Sequence, residues 1–374
     1  MNNDIYVKRC ASYNLEEIKK VIKSGFDELG GIEKFIKKGE KVLLKPNSLQ
    51  PSKPDSAIVT HPVFVRAIIQ ILKEITDKIY IGESPGTGSF RMGATVSGVK
   101  KVVEEEKVEF IDFVADKEID IKDKLVFGKF VVDKRLLEMD KIINLPKIKT
   151  HTLMQMSLCV KNMFGIIPGM KKLEYHAKSK QDRTIFAKIL IDIYRAFPPH
   201  FNIVDGILSM EGDGPGTGGI PVNLGVIIMG ENGFAIDRFI PEITGVDPFR
   251  VWTNKIYRQY VNGNKDVEFK ILGENPGVIK KFIMPPDEHI KGLLWKLTQT
   301  FRGVMLVKPV FNKKKCTGCQ ICVKHCPENA IVYKGRDNGI ICDYDKCIRC
   351  FCCHELCPEN AISIRKPFLR IFGR

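Results

Sequence analysis

Cysteine spacing constrains this chain more than any other feature. Cys316, Cys319, Cys322 and Cys326, the last followed by Pro327, form a ladder that returns 31 residues later as Cys347, Cys350, Cys353 and Cys357, followed by Pro358. The copy extends past the cysteines, since Cys326 to Ile331 recurs letter for letter at Cys357 to Ile362. Three thiolates with two residues between neighbours can wrap an iron-sulfur cubane corner by corner, whereas the fourth, before its proline, points away and reaches a second cluster. Each half then needs the other. Zinc also takes thiolates, but as separated pairs closing one tetrahedron, and an unbroken four-cysteine ladder repeated twice does not fit that pattern. A disulfide framework fits less well, because a 374-residue chain needs no staples and its N-terminus carries no secretory signal. Cys342 and Cys352 lie inside the module but off the ladder and read as non-ligands, with Cys10 and Cys159 as ordinary reduced thiols.

The doubled ladder resembles the bacterial two-cluster ferredoxins. That resemblance implies two [4Fe-4S] clusters, one held by Cys316, Cys319, Cys322 and Cys357, the other by Cys347, Cys350, Cys353 and Cys326.

The chain is too long to be a free-standing ferredoxin. Its length and 44% hydrophobic content allow one large domain plus a small one. No run of eighteen apolar residues occurs and Met1 to Arg9 contains no signal-like core, so the expected location is the cytoplasm, in a reducing, oxygen-poor setting suited to low-potential clusters. The formal charge of +15 would favour an acidic redox partner, an anionic lipid surface or nucleic acid. Basic residues are spread through the chain rather than gathered into an RNA-binding signature, which argues against nucleic acid.

Composition shifts near residue 305, giving an expected α/β domain over 1–305 and a small α+β two-cluster ferredoxin-like domain over 306–374. Upstream, short Ile- and Val-rich runs alternate with amphipathic stretches, as in a mostly parallel, doubly wound sheet. Strands are expected at Lys41 to Leu44, Lys78 to Ile81, Val108 to Phe113, Lys141 to Leu145, Phe201 to Val204 and Leu224 to Met229. Helices are expected at Leu15 to Leu29, Pro62 to Thr76, Ala94 to Glu106 and Asp182 to Phe197, the second capped by Thr60 with Pro62 in its first turn. Lys291 to Arg302 reads as an amphipathic helix joining the domains, and with the tail Arg365 to Arg374 it could touch a membrane surface, although packing against its own protein is the plainer reading.

Several strands run into polar residues: Lys45 and Asn47, Glu83, Lys147, Lys149 and His151, and Asp205. In a doubly wound sheet those C-terminal ends share one edge, where ligands bind. Lys161, next to Asn162 in an apolar segment, is costly to bury unpaired and so should face a carboxylate or an anion. Lys45, Lys147, Lys149 and Lys161 with His61 and His151 would make a cationic pocket that also holds Glu83, Asp205 and Glu211. Such a pocket suits a phosphorylated or carboxylated ligand or, less well, a divalent metal, and His151 could act as acid or base. Lys147, Lys149, His151 and Asp205 are the catalytic candidates; Lys45, Asn47, His61, Glu83, Lys161, Asn162 and Glu211 are the binding candidates. The glycine-bearing turns Gly82 to Ser89 and Gly212 to Gly219 could offer backbone N–H groups to an anion or serve as lids, and neither is a phosphate-loop signature.

The segments Lys45 to Asn47, Thr60 to Pro62, Gly82 to Gly86, Pro146 to His151, Lys161 to Gly165, and Asp205 to Gly212 together resemble the bacterial and archaeal domain of unknown function numbered 362, a family of iron-sulfur centre proteins. A fainter likeness in loop order links them to nickel-pincer lactate racemases, whose His pairs this chain lacks. Three functions stand open on these residues. The first is a redox protein, conceivably a ferredoxin-dependent oxidoreductase, in which the clusters exchange single electrons with an anionic molecule in the α/β domain or with a partner protein. The second is an electron carrier or assembly factor without catalysis of its own. The third is a racemase-like isomerase with structural clusters.

Overall fold

A computed structural model describes residues 2–169, 171–180, 182–287 and 307–365. The expected boundary at 305, the helix read at 291–302 and the tail beyond 365 lie outside the described residues. In chain order the strands are β1 (Ile5–Arg9), β2 (Val42–Pro46), β3 (Ile79–Glu83), β4 (Glu109–Asp112), a separate hairpin of β5 (Lys117–Asp120) and β6 (Lys129–Val132), then β7 (Lys141–Leu145), β8 (Lys147–His151), β9 (Gln155–Ser157), β10 (Phe201–Gly212), β11 (Gly219–Gly230) and β12 (Ile271–Gly273). Ten of them form one sheet ordered β12-β1-β11-β10-β7-β2-β3-β4, with β8 and β9 attached beside β10. The block β10-β7-β2-β3-β4 is parallel, and the antiparallel pairs β10–β11 and β1–β11 extend it.

Side chains on β2 alternate between two cores: Val42 and Leu44 enter one, Leu43 the other. A strand buried on both faces needs helices on both. Helices α1 (Leu15–Glu28), α2 (Pro62–Leu72), α3 (Phe90–Ser97) and α4 (Val99–Glu105) cover the first face. On the opposite side lie α5 (Cys159–Asn162), α6 (Lys171–Ser179), α7 (Arg183–Ala196), α8 (Gly233–Ile243) and α9 (Trp252–Tyr260). The first helix shows how sequence sets this up: Asn14 accepts from the Glu17 N–H at its start, and Ile18, Val21, Ile22 and Phe26 form the buried stripe.

Three expectations about local structure are corrected. The span Ala94 to Glu106 is two helices, because Gly98 in the left-handed region (φ +83°) closes α3 and opens α4. The cap of α2 is His61, whose Nδ1 accepts from Val63 N–H, while Thr60 Oγ1 instead accepts from Asn47 N–H and donates to the Leu145 carbonyl. Strand β10 does not stop at Val204 but continues through Asp205 to Gly212, since Lys147 lies opposite Asp205 on β8 and satisfies its charge inside the sheet.

The C-terminal module follows the internal repeat. Strand β13 (Lys308–Phe311) pairs antiparallel with β16 (Ile362–Arg365), and β14 (Ile331–Tyr333) with β15 (Ile340–Cys342), so each half contributes one strand to each hairpin. Asn329 and Asn360 both sit at positive φ (50° and 47°), a backbone state that Asn tolerates better than most residues, which accounts for part of the copied run.

Candidate functional site

Parallel strands end on one edge, and there the structure forms a polar cavity of ≈ 90 Å³ whose far wall is the C-terminal module. Of the expected residues, Asn47, Glu83, Lys149, Lys161 and Asn162 line it. Lys149 Nζ donates to Asn47 Oδ1 (2.7 Å) and to the Ile58 carbonyl (2.8 Å), and Asn47 Nδ2 donates to Asn162 Oδ1 (2.9 Å). Asn162 in turn donates to Asn144 Oδ1 (2.7 Å), so the amides form a fixed chain rather than free hydrogen-bonding groups.

The other expected residues lie elsewhere, and the single cationic pocket is corrected to three separate groups. Lys45 is fully buried beneath the cavity in direct contact with Glu83; burial pushes the carboxyl up and the ammonium down, and each holds the other's charge in place. Glu83 also packs on Gly165, where an added Cβ would collide with its carboxylate, so only glycine lets that loop approach. Lys147 belongs to a second group: its ammonium contacts Asp205 Oδ2 (2.8 Å) and Tyr13 OH (2.6 Å), Tyr13 donates to Asp205 Oδ1 (2.8 Å), and the His61 N–H donates to Asp205 Oδ2 (3.0 Å). His61 stacks on Tyr13, and burial lowers its pKa to about 4. Glu211 faces away from both groups, paired with Lys280 (3.0 Å) and accepting from Ile283 N–H. His151 is wholly buried, with Nδ1 accepting from Leu153 N–H (3.1 Å); its Nε2 lies 3.4 Å from Glu355 Oε1.

Several lining residues escaped sequence reasoning: Ser84, Lys172, His176, and from the C-terminal module His325, Cys352 and Glu355. Lys172 and His176 are four apart on α6 and therefore share a face. No sequence signal singles out Glu355: the repeat places Lys324 at the equivalent position, but every other non-cysteine position inside the two ladders differs as well. Burial raises the Glu355 carboxyl and Lys161 draws it back.

Burial also governs the bases. It lowers Lys149 and Lys172 to about 7, lowers Lys161 as well, and lowers His176 to about 3. His176 stacks on Phe186 at 4.3 Å between centroids and is held neutral. A folded-state pKa below the unfolded value of 6.5 means that its contribution to stability is complete above about pH 6.5 and is lost as pH falls toward about 3. Replacing His176 with Phe should make the acid loss of stability shallower by about 1.4 kcal/mol per pH unit in that window, read from urea midpoints at stepped pH.

The cysteines gather into two quartets. Cys316, Cys319, Cys322 and Cys357 line one small cavity, and Cys347, Cys350, Cys353 and Cys326 line another. The fourth cysteine of each ladder has therefore crossed to the other half. Ala330 N–H donates to Cys326 Sγ (3.2 Å) and Ala361 N–H to Cys357 Sγ (3.3 Å), the same contact in both repeats. Among the described residues no three His, Cys, Asp or Glu side chains converge on a point that could hold one metal ion. The cysteine quartets instead surround volumes, a donor arrangement that fits a cubane. Cys352 and His325 line both the second sulfur cavity and the polar cavity.

The Gly212 to Gly219 turn, expected to hold an anion or act as a lid, clamps the module in place. Thr217 Oγ1 donates to the Cys357 carbonyl (2.7 Å), and the Asp213 carbonyl lies 2.9 Å from His354 Nε2. Among the described residues no helix is long and apolar enough to cross a membrane.

Comparison with known proteins finds two family matches on the chain. Residues 309–332 match a 4Fe-4S binding domain, so the C-terminal module binds iron-sulfur. A 38-residue stretch, 10% of this chain and 35% of the relative, is 53% identical to the ketoisovalerate oxidoreductase subunit VorD of Pyrococcus furiosus. The thylakoid-associated protein sll1697 of Synechocystis is 31% identical over 253 residues, 68% of this chain and 78% of that one. Among solved structures, the lactate racemase apoprotein of Thermoanaerobacterium thermosaccharolyticum aligns at 14% identity with a TM-score of 0.38, covering 54% of this chain and 50% of that one. A Thermotoga maritima protein aligns at 16% identity with a TM-score of 0.35, covering 57% and 55%. Residues 42–241, more than half of the chain, match the domain of unknown function DUF362, and the protein belongs to that family.

Proposed function

We propose that this is an iron-sulfur redox protein in which two [4Fe-4S] clusters relay single electrons between a partner protein and an anionic small molecule or cofactor held in the polar cavity. Cys316, Cys319, Cys322 and Cys357 would hold the first cluster, and Cys347, Cys350, Cys353 and Cys326 the second. The clusters supply one-electron transfer when bound. The observation that carries the reading is the shared wall: Cys352 and His325 separate the polar cavity from the second quartet by a single layer of side chains.

The protein's own residues divide the remaining work. Ala330 and Ala361 N–H groups withdraw charge from the two crossing sulfurs, one of the levers that set a cluster's potential. Lys149, Lys161 and Lys172 favour negative charge in the cavity. The first quartet faces outward: Cys319 is exposed, and Lys313, which lines its cavity, begins the exposed run Lys313 to Lys315. That side suits an acidic redox partner, whose encounter the overall positive charge would steer.

Removing a positive charge beside one cluster should lower its midpoint potential and leave the more distant one in place. In Lys149→Gln and Lys172→Gln, potentiometric EPR titration is expected to show one shifted and one unshifted cluster, with iron content unchanged. If neither potential moves, the cavity and the clusters are not coupled and the reading fails.

A further inference from the structure

Charges around the polar cavity do not balance. Two of the five lysines in this region are closed by carboxylates in direct contact, Lys45 by Glu83 and Lys147 by Asp205. The other three line the cavity without such a partner. Lys149 is held by an amide oxygen and a carbonyl, and Lys172 by the carbonyls of Ser84 and Pro85, all neutral acceptors. Lys161 makes no hydrogen bond or ion pair among the described residues, and its ammonium stands 6.0 Å from the centroid of the Phe164 ring. Glu355 is the one carboxylate left to face these three. Nearby bases add no further unpaired positive charge: His151 and His176 are held neutral by burial, and Arg183 is engaged by Asp287 at 2.7 Å.

Resting on the redox reading above, we propose that the cavity seats a small molecule carrying two negative charges, a dicarboxylate or a phosphate monoester, with Lys161 as its principal anchor. Burial alone draws Lys149 and Lys172 down to about 7, and a bound anion would favour their protonated forms; with all three protonated, three cations facing one carboxylate leave an excess of two. A monoanion would leave one ammonium uncompensated; for the buried Lys149 and Lys172 that state is so costly that the group tends to give up its proton instead, whereas the half-buried Lys161 can meet water. A dianion completes the balance and supplies acceptors for the one ammonium that has none. A cluster at the second quartet, with about two negative charges of its own, offers a competing counter-charge. It would lie behind Cys352 and His325, outside the ring of lysines, so it attracts them without occupying their hydrogen bonds.

Calorimetric titration of the oxygen-free, cluster-loaded protein at about pH 7.5 tests this, because malonate and inorganic phosphate are then largely dianionic and acetate is a monoanion. One of the two dianions is expected to bind at least about 10-fold more tightly than acetate. Preference for malonate identifies a dicarboxylate seat, and preference for phosphate a phosphoryl seat. Lys161→Gln should weaken that dianion by about 10- to 100-fold, while Lys161→Arg keeps most of the affinity. Cluster absorbance and the melting temperature establish that the variants fold, and the ranking of anions on the unaltered protein needs no variant. Acetate binding as tightly as the dianions, or no anion binding at all, overturns the proposal. So does a Lys161→Gln variant that lowers a cluster potential yet leaves anion binding unchanged, because the lysine then serves the cluster. The redox reading fails separately, if the dianions bind in the expected order but no cluster potential responds to them.

Discussion

Replacing Cys326 with Ala is expected to remove the cluster beside the polar cavity and spare the one named by the ladder in which Cys326 lies. Its sulfur lines the same cavity as Cys347, Cys350 and Cys353, not that of Cys316, Cys319 and Cys322. Iron content should fall by roughly half, and the magnetic interaction between two reduced clusters should vanish from the EPR spectrum. Pairs of substitutions make the crossing visible. Cys326→Ala combined with Cys353→Ala should lose no more iron than either alone, because both strike one cluster, whereas Cys326→Ala combined with Cys322→Ala should lose nearly all of it. The reverse pattern would show that each ladder closes its own cluster. With the shared wall as the electron route, Cys326→Ala should also end any redox exchange with a molecule in the cavity, although the cavity's own lysines are untouched.

The cysteine ladders were legible because their spacing is a local feature of the chain, whereas the crossing of the fourth cysteine was an expectation carried over from the resemblance to two-cluster ferredoxins. The sheet was legible for a similar reason: the apolar runs that became β2, β3 and β7 are buried on both faces, so their hydrophobicity shows without knowledge of their neighbours. Less visible were β8 and the second half of β10. Lys147, Lys149 and His151 look like loop residues, and only the partner strand shows why three such side chains can be wholly buried in a strand. The same failing grouped all the lysines together. One-dimensional reading can tell that Lys45, Lys147, Lys149 and Lys161 need counter-charges, but not that Glu83 and Asp205 each take one and leave the others unpaired.

Glu355 shows the deepest limit. It lies more than 180 residues from the lysines it faces, in a module that reads as self-contained. Its meaning comes only from docking, which the Gly212 to Gly219 turn secures through Thr217 and Asp213. The cavity therefore belongs to neither domain alone. The α/β edge supplies the cations and amides, and the iron-sulfur module supplies the wall with Glu355, Cys352 and His325. A ligand there would sense both domains, which is a physical reason for the two to be fused in one chain.

Lys45→Met is expected to cost about 3–5 kcal/mol of stability, the range for removing one partner of a buried ion pair and leaving the other charged in the interior. Lys45 is fully buried and Glu83 is 5% exposed, so water cannot take the lysine's place. The carboxylate cannot swing away either, because it rests against Gly165, and the Ser84 N–H next to it is tied to the Gly165 carbonyl at 2.8 Å. Lys45→Met combined with Glu83→Gln removes both charges at similar volume and should recover much of that loss, since replacing a whole buried pair is often nearly neutral. The exposed pair Lys23 and Glu74 supplies the contrast: at 2.7 Å it is a close contact, yet Lys23→Met should cost only about 0–1 kcal/mol. Urea unfolding followed by circular dichroism under argon gives all three values on one scale. A Lys45→Met midpoint no lower than that of Lys23→Met would mean that Glu83 takes up a proton and sits neutral in the folded protein. Both members of the pair would then be uncharged in the variant, and the excess positive charge at the cavity would stay as the contacts imply.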